Sequence, residues 1–168
     1  MRLVLVIIMM CLAVFLQASD YEHRVGIAVG AVSGTGASYR WFYKDFGLQV
    51  AQSELRVGFS EDENEEEEDY TFKQASIGLQ GLYTIHQTDI LRTYIIGGVA
   101  YFDIMERDKK DGGFWEVKNS HSTNIGTGLG SQLTLFKHLS LAIELPMYYS
   151  TKGYFKMQYP QIGVFYKI

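Results

Sequence analysis

LSLAIELPMYY, Leu139 to Tyr149, is the stretch whose reading decides the fold. Successive side chains of an extended strand point to opposite faces. Leu139, Leu141, Ile143, Leu145, Met147 and Tyr149 therefore share one face, and Ser140, Ala142, Glu144, Pro146 and Tyr148 share the other. A strict period of two between a fully apolar row and a small or polar row predicts a β-strand with two different environments. The question is which row faces solvent.

The same period recurs in both directions along the chain. Upstream, Val25, Ile27, Val29 and Ala31 alternate with Gly26, Ala28 and Gly30, and Tyr39, Trp41 and Tyr43 with Ser38, Arg40 and Phe42. A third segment opens at Phe46, Leu48 and Val50. Ile77, Leu79, Tyr83 and Ile85 then oppose Ser76, Gly78, Gln80 and Thr84. Leu91, Thr93, Ile95, Val99 and Tyr101 oppose Arg92, Tyr94, Gly98 and Ala100. Ile125 to Leu135 alternate with a row that holds Gly126, Gly128, Gly130 and Gln132. Downstream, QIGVFYKI (Gln161–Ile168) reads as an eighth strand whose last residue still matters, although residues near a terminus are normally polar and frayed.

The links between these segments alternate too. Those at Lys44-Asp45, at His86 to Asp89 and at 136–138 are short, whereas 60–69 and 105–113 are long and charged; Ser33 to Gly36 and Ser150 to Gly153 are modest. Tight turns at one end and longer loops at the other are the pattern of an up-and-down transmembrane barrel. The faces agree with it. A water-soluble barrel covers its exterior with Lys, Glu and Asp, but here the second row is Gly, Ala, Ser, Thr and Gln with isolated charges. Small residues suit the narrow lumen of a barrel of about eight strands. The polar row is therefore predicted inside and the apolar row against lipid, with aromatic girdles at both ends: Trp41, Tyr43, Phe46, Tyr83 and Tyr166 at the short-turn end, and Phe59, Phe72, Tyr101, Trp115, Tyr149 and Phe155 at the loop end.

Met1-Arg2, the apolar run Leu3–Leu16 and Ala18 match a secretory signal. Residues 1–18 are expected to be cleaved, leaving 19–168 as one closed antiparallel all-β domain. The run is shorter than the ~20 residues of a membrane-spanning helix. Cys11, the only cysteine, lies within it, so the mature chain is expected to have no disulfide and no cysteine-based metal site. The formal charge of −4 becomes one unit more negative once Arg2 leaves, which argues against a nucleic-acid partner.

The chain resembles the small bacterial outer-membrane β-barrel superfamily, the OmpA-domain and OmpX kind. Gln161, Gly163, Tyr166 and Ile168 are similar to its C-terminal assembly signal, with Ile168 where Phe or Trp is usual. The resemblance implies an outer-membrane location, surroundings of outer-membrane lipid and lipopolysaccharide, recognition by the barrel-insertion machinery, and a monomer without cofactors.

Five buried polar residues are expected in the lumen: Arg40, Gln80, Arg92, Gln132 and Glu144. Its charges must be partnered, because desolvating one alone is expensive. A filling network is the expected reading ahead of an ion path. Among the acidic residues of EDENEEEEDY, Glu65, Glu66, Glu67, Glu68 and Asp69 could gather a divalent cation, but they lack the spacing of a calcium loop, so a solvated surface loop is expected. His121, Ser122, Thr123 and Glu144 resemble part of the His/Ser/Glu pattern of outer-membrane lipid A deacylases. Thr123 stands where that pattern has Ser, and a nucleophile needs its base within hydrogen-bond reach. Gly113-Phe114-Trp115 has a lipocalin-like Gly-x-Trp form, which gives a soluble ligand carrier as a third reading. The leading expectation is a non-enzymatic envelope protein that acts in structure or in surface contact with an extracellular partner through the 60–69 and 105–113 loops.

Overall fold

The computed structural model describes residues 21–59, 70–110, 114–157 and 160–168; the side chains of 58–59, 70–71, 107–110 and 114–116 are not among those described. The expected signal segment 1–18 and the carboxylates of 65–69 lie outside these residues. The strands are β1 (Tyr21–Gly30), β2 (Gly34–Tyr43), β3 (Phe46–Phe59), β4 (Tyr70–Gln87), β5 (Leu91–Lys110), β6 (Phe114–Thr134), β7 (Leu139–Ser150), β8 (Tyr154–Met157) and β9 (Gln161–Lys167). Each pairs antiparallel with its neighbours, and they form a closed barrel of eight staves. Among the described residues no helix is long and apolar enough to cross a membrane, which says nothing about a crossing made by strands.

Closure is made by the last stave. β9 pairs with β1 from Arg24↔Lys167 to Val29↔Ile162, and with β7 from Leu139↔Tyr166 to Glu144↔Gln161. The Ile168 amide donates to the His23 carbonyl at 3.0 Å, and that of Lys167 to the His138 carbonyl at 2.7 Å. QIGVFYKI is thus stitched to both walls to its final residue. The eighth stave, expected as one strand, comes in two pieces. The β7 partner is Met157 at Met147 but Gln161 at Glu144, so the last stave carries one extra residue in this interval. Pro160 lies there, and a residue without an N–H is tolerated where the ladder is irregular.

The outward row is the apolar one. Ile143 is 45% exposed and Leu145 51%, with Ile27, Val50, Leu79, Val99 and Leu129 in equivalent positions, while Ala142, Glu144 and Gln80 are buried within. Only lipid makes this arrangement favourable over the whole circumference. A soluble carrier such as a lipocalin needs the reverse. Of the expected girdles, Phe46, Tyr83 and Tyr166 stand outward at the turn end, and Tyr101, Tyr149 and Phe155 at the loop end. Phe72 departs from the expectation: its register with Val57 and Glu106 places it in the row of Ser76 and Gln80, on the inner side.

Two connections also differ. The expected loop at 105–113 is strand as far as Lys110, because β5 and β6 remain paired from Leu91↔Leu133 to Lys110↔Phe114. The first link is no surface loop. Ala31, Val32 and Ser33 turn into the barrel and are buried, so Ala31 is not an outward residue as its parity suggests. Gly34, at φ 80°, permits the reversal. Across the lumen, a Cβ on Gly78 would stand 2.2 Å from the Ser33 carbonyl oxygen.

Gly78→Ala is expected to push the turn from its seat and destabilise the barrel by ~1–3 kcal/mol, an overpacking cost, read as a lower urea midpoint in lipid vesicles. Ile143→Arg, on the lipid row, is expected to cost ~2–4 kcal/mol in the same assay. An unchanged midpoint for Ile143→Arg would mean that water, not lipid, wets this row.

Candidate functional site

The lumen is held by one guanidinium. Arg40, on β2, is 1% exposed and its nitrogens reach four strands. Nε donates to Gln49 Oε1 of β3 at 2.8 Å, and Nη2 also contacts that oxygen. Nη1 donates to Tyr94 of β5 at 2.8 Å and to Gln132 of β6 at 3.0 Å. Nη2 donates to Glu144 Oε1 of β7 at 2.7 Å. The guanidinium also lies 4.2 Å from the Phe165 ring centroid, on β9.

Glu144 completes the set. Its Oε1 accepts from Tyr94 at 3.0 Å, and its Oε2 accepts from Gln80 at 3.0 Å and Gln161 at 3.1 Å. A buried charge pair of this kind is tolerable because further hydrogen bonds satisfy both ions. Gln161 carries the network upward: its Oε1 accepts from the amides of Val32 at 2.8 Å and Ser33 at 3.3 Å. Asn124 Nδ2 donates to the Ala31 carbonyl at 3.1 Å. The inward turn is thereby tied to the ionic core.

Arg40, Gln80, Gln132 and Glu144 are brought together as expected. Arg92 is inward too, but belongs to a second cluster at the turn end. Its Nε donates to Gln87 at 3.1 Å, its Nη1 lies 3.4 Å from Glu22, and its guanidinium lies 4.0 Å from the Phe42 ring centroid. Glu22 also pairs with Arg24 at 2.5 Å and Lys167 at 3.7 Å, and Arg24 bonds Ser140 across the closure. The sequence reading missed Gln49, Tyr94, Glu22 and Arg24 as network members; their inward parity was the available signal. Gln161 and Gly163 of the assembly signal are buried inside, and Tyr166 and Ile168 point outward, Tyr166 stacking on His138 at 5.5 Å.

The residues of the deacylase pattern are not brought together. His121 is exposed on the outer face, where Nδ1 lies 2.9 Å from Asp103 Oδ1 and 3.3 Å from the Tyr101 hydroxyl. Ser122 faces the opposite way. Thr123 donates its amide to Thr151 Oγ1 at 3.0 Å. Glu144 is opposite Gly130, so Ser122 stands eight residues further along β6, roughly 26 Å away at ~3.3 Å per residue. Among the described residues no group of three or more His, Cys, Asp or Glu is arranged to hold a metal ion.

Neither comparison with protein-family profiles nor comparison with curated protein sequences gives a match. Solved structures do match. The N-terminal β-barrel domain of Pseudomonas aeruginosa OprF is 17% identical, with 88% of this chain and 96% of that one covered and a TM-score of 0.52. A major outer membrane protein of Thermus thermophilus is 15% identical, with 88% and 99% covered and a TM-score of 0.54. Ail, the attachment invasion locus protein of Yersinia pestis, solved with the heparin analogue sucrose octasulfate, is 13% identical over 88% and 97%, at a TM-score of 0.47. The fold is that of these small eight-stranded outer-membrane barrels. The apolar exterior places this barrel in a lipid bilayer.

Glu144→Ala is expected to strand the Arg40 charge and destabilise the barrel by ~3–5 kcal/mol. Adding Arg40→Leu to it is expected to recover part of that loss. Urea unfolding of the two single variants and the double variant checks this; strictly additive losses would show that the two groups are not coupled.

Proposed function

We propose that this is a non-enzymatic, monomeric envelope protein that holds a β-blade above the outer leaflet for contact with an extracellular protein. One observation carries the reading: strand length is divided unequally around the barrel. β1 and β2 have 10 residues each, close to the ~9–11 that cross a bilayer, whereas β4, β5 and β6 have 18, 20 and 21. The surplus stays paired. β2 accompanies β3 only to Ala37↔Gln52, and β7 accompanies β6 only to Asn124↔Ser150. Beyond those levels β3 to β6 continue alone as four strands, and nine residues of β5, Phe102–Lys110, rise roughly 30 Å at ~3.4 Å per residue.

The blade has two open edges. Among the described residues no strand pairs with Ser53–Phe59 on the side away from β4, or with Phe114–Ser122 on the side away from β5. An open edge offers a row of backbone donors and acceptors to another chain. Sheets that avoid such pairing blunt their edges with Pro, bulges or charged side chains, and of these Ser53–Phe59 carries only the charges of Glu54 and Arg56. Ser53–Phe59 has no Pro, and its register with β4 is unbroken from Phe46↔Tyr83 to Phe59↔Tyr70. Leu55 and Val117, each 50% exposed, add apolar contact. The partner is therefore an extended protein segment that adds a strand. Below, the ionic core fills the lumen, so no conductance is ascribed to it. The last strand is the element offered to the insertion machinery, and lipopolysaccharide is the natural neighbour of the outer rim.

Shortening the blade by joining Ser53 to Ser76 and Phe102 to Ser122 through two-residue turns leaves the barrel registers intact. The shortened protein is expected to insert and keep its heat-modifiable gel shift, and to lose adhesion of whole cells to protein-coated surfaces. Retained adhesion would exclude the blade as the contact surface.

A further inference from the structure

We propose that the loop-end mouth of the barrel takes the hydrocarbon chain of an anionic amphiphile that reaches it sideways from the outer leaflet. A cavity of about 420 Å³ lies there, above the inward turn, with Ala31 in its lining. Phe102 and Ile104 of β5, Tyr148 of β7, Tyr154 of β8 and Pro160 give it apolar walls. Its size falls within the roughly 300–1,000 Å³ of small-ligand sites.

The cavity reaches the rim. Val29, on the outward row and 59% exposed, lines it together with Gln161, on the inward row and 3% exposed. The wall is low at this point because β1 ends at Gly30, the turn folds inward and β2 starts at Gly34. The neighbouring stave does not stop there. Beyond the level of Val29↔Ile162 it continues into β8, where Phe155 and Met157 are outward and exposed, opposite Tyr149 and Met147 of β7. The apolar exterior thus stands higher on the last stave than the wall beside it. The opening faces acyl chains, not only water.

Two cations mark the rim. Lys152 lines the cavity, and its Nζ donates to Ser120 Oγ, leaving two N–H donors. Lys156, in the row of Tyr148, has its Nζ 4.5 Å from the Tyr154 ring centroid. Ammonium groups at the edge of an apolar space favour a carboxylate or phosphate head on a hydrocarbon tail.

The test uses the barrel in lipid nanodiscs and a long-chain fatty acid with a nitroxide at its chain end. Amide resonances of Ala31, Phe102, Asn124 and Tyr148 should broaden saturably, beyond the broadening of outward Ile143 and Leu145. Ser122→Trp, which fills the cavity, should abolish the effect while the gel shift shows a folded barrel. Lys152→Ala with Lys156→Ala should weaken apparent affinity about five- to tenfold. A nitroxide alkyl phosphate that binds more tightly than the acid assigns the chain to a phosphate-bearing lipid, and the reverse assigns it to a free fatty acid; both stand with the proposal. Broadening confined to outward rows, broadening unchanged by Ser122→Trp, or an alcohol of equal length that binds as tightly as the acid overturns it.

Discussion

Inside hydrocarbon, a backbone N–H or C=O without a partner costs several kcal/mol, and the barrel is organised by the need to leave none. The β9 ladder to β1 and β7 meets that requirement where the sheet closes on itself. It also explains why apolar and aromatic residues persist through Ile168: the hydrogen bond from its amide to His23 belongs to the seal. Once the sheet is closed, parity does the rest. Along the membrane-crossing part each outward residue meets lipid, and each inward residue enters a lumen narrow enough for side chains to fill.

That space creates the second requirement. A lumen of this width must be filled with side chains, and the polar ones among them must bond to one another. Arg40 suits the centre because its planar fork carries five donors in fixed directions, enough to reach Gln49, Tyr94, Gln132 and Glu144 on four different strands. Glu144 answers with two oxygens that accept from three further groups besides Arg40. Through Gln161 the same network holds the Ala31–Ser33 turn inside. One residue of the closing strand therefore joins the seal, the core and the plug.

Much of this was legible in the sequence, for a physical reason. A two-sided environment imposes a period of two, and Leu139–Tyr149 states it without exception. Arg40, Gln80, Gln132 and Glu144 followed from parity alone. What parity does not specify is height along the barrel, which is why Arg92 was grouped with Arg40 although it bonds to Glu22 and Gln87 at the turn end. Charge obscured the upper strands. Met105–Lys110 holds Glu106, Arg107, Asp108, Lys109 and Lys110, so it reads as a loop, but above the membrane a strand needs no apolar row and backbone pairing suffices. The first turn was misplaced, with Ala31 given to the outward row and the link to Ser33–Gly36, because small residues suit a strand, a turn and a lumen equally well. His121 has its acid in Asp103, on the neighbouring strand and distant in sequence, so local spacing offered no sign of it.

The inequality of the strands connects these observations. Had β1, β2, β7 and the last stave matched β4 to β6 in length, the rim would be level and the blade would have no open edges. Two short staves and a turn folded inward leave the upper sheet unclosed on that side. Within the membrane an unclosed sheet is prohibitively costly, but above it water satisfies the edge. The same shortening sets the outward Val29 beside the inward Gln161 in one cavity lining. Closure is strict where lipid demands it and relaxed where lipid ends, and both surfaces proposed for binding lie at that boundary.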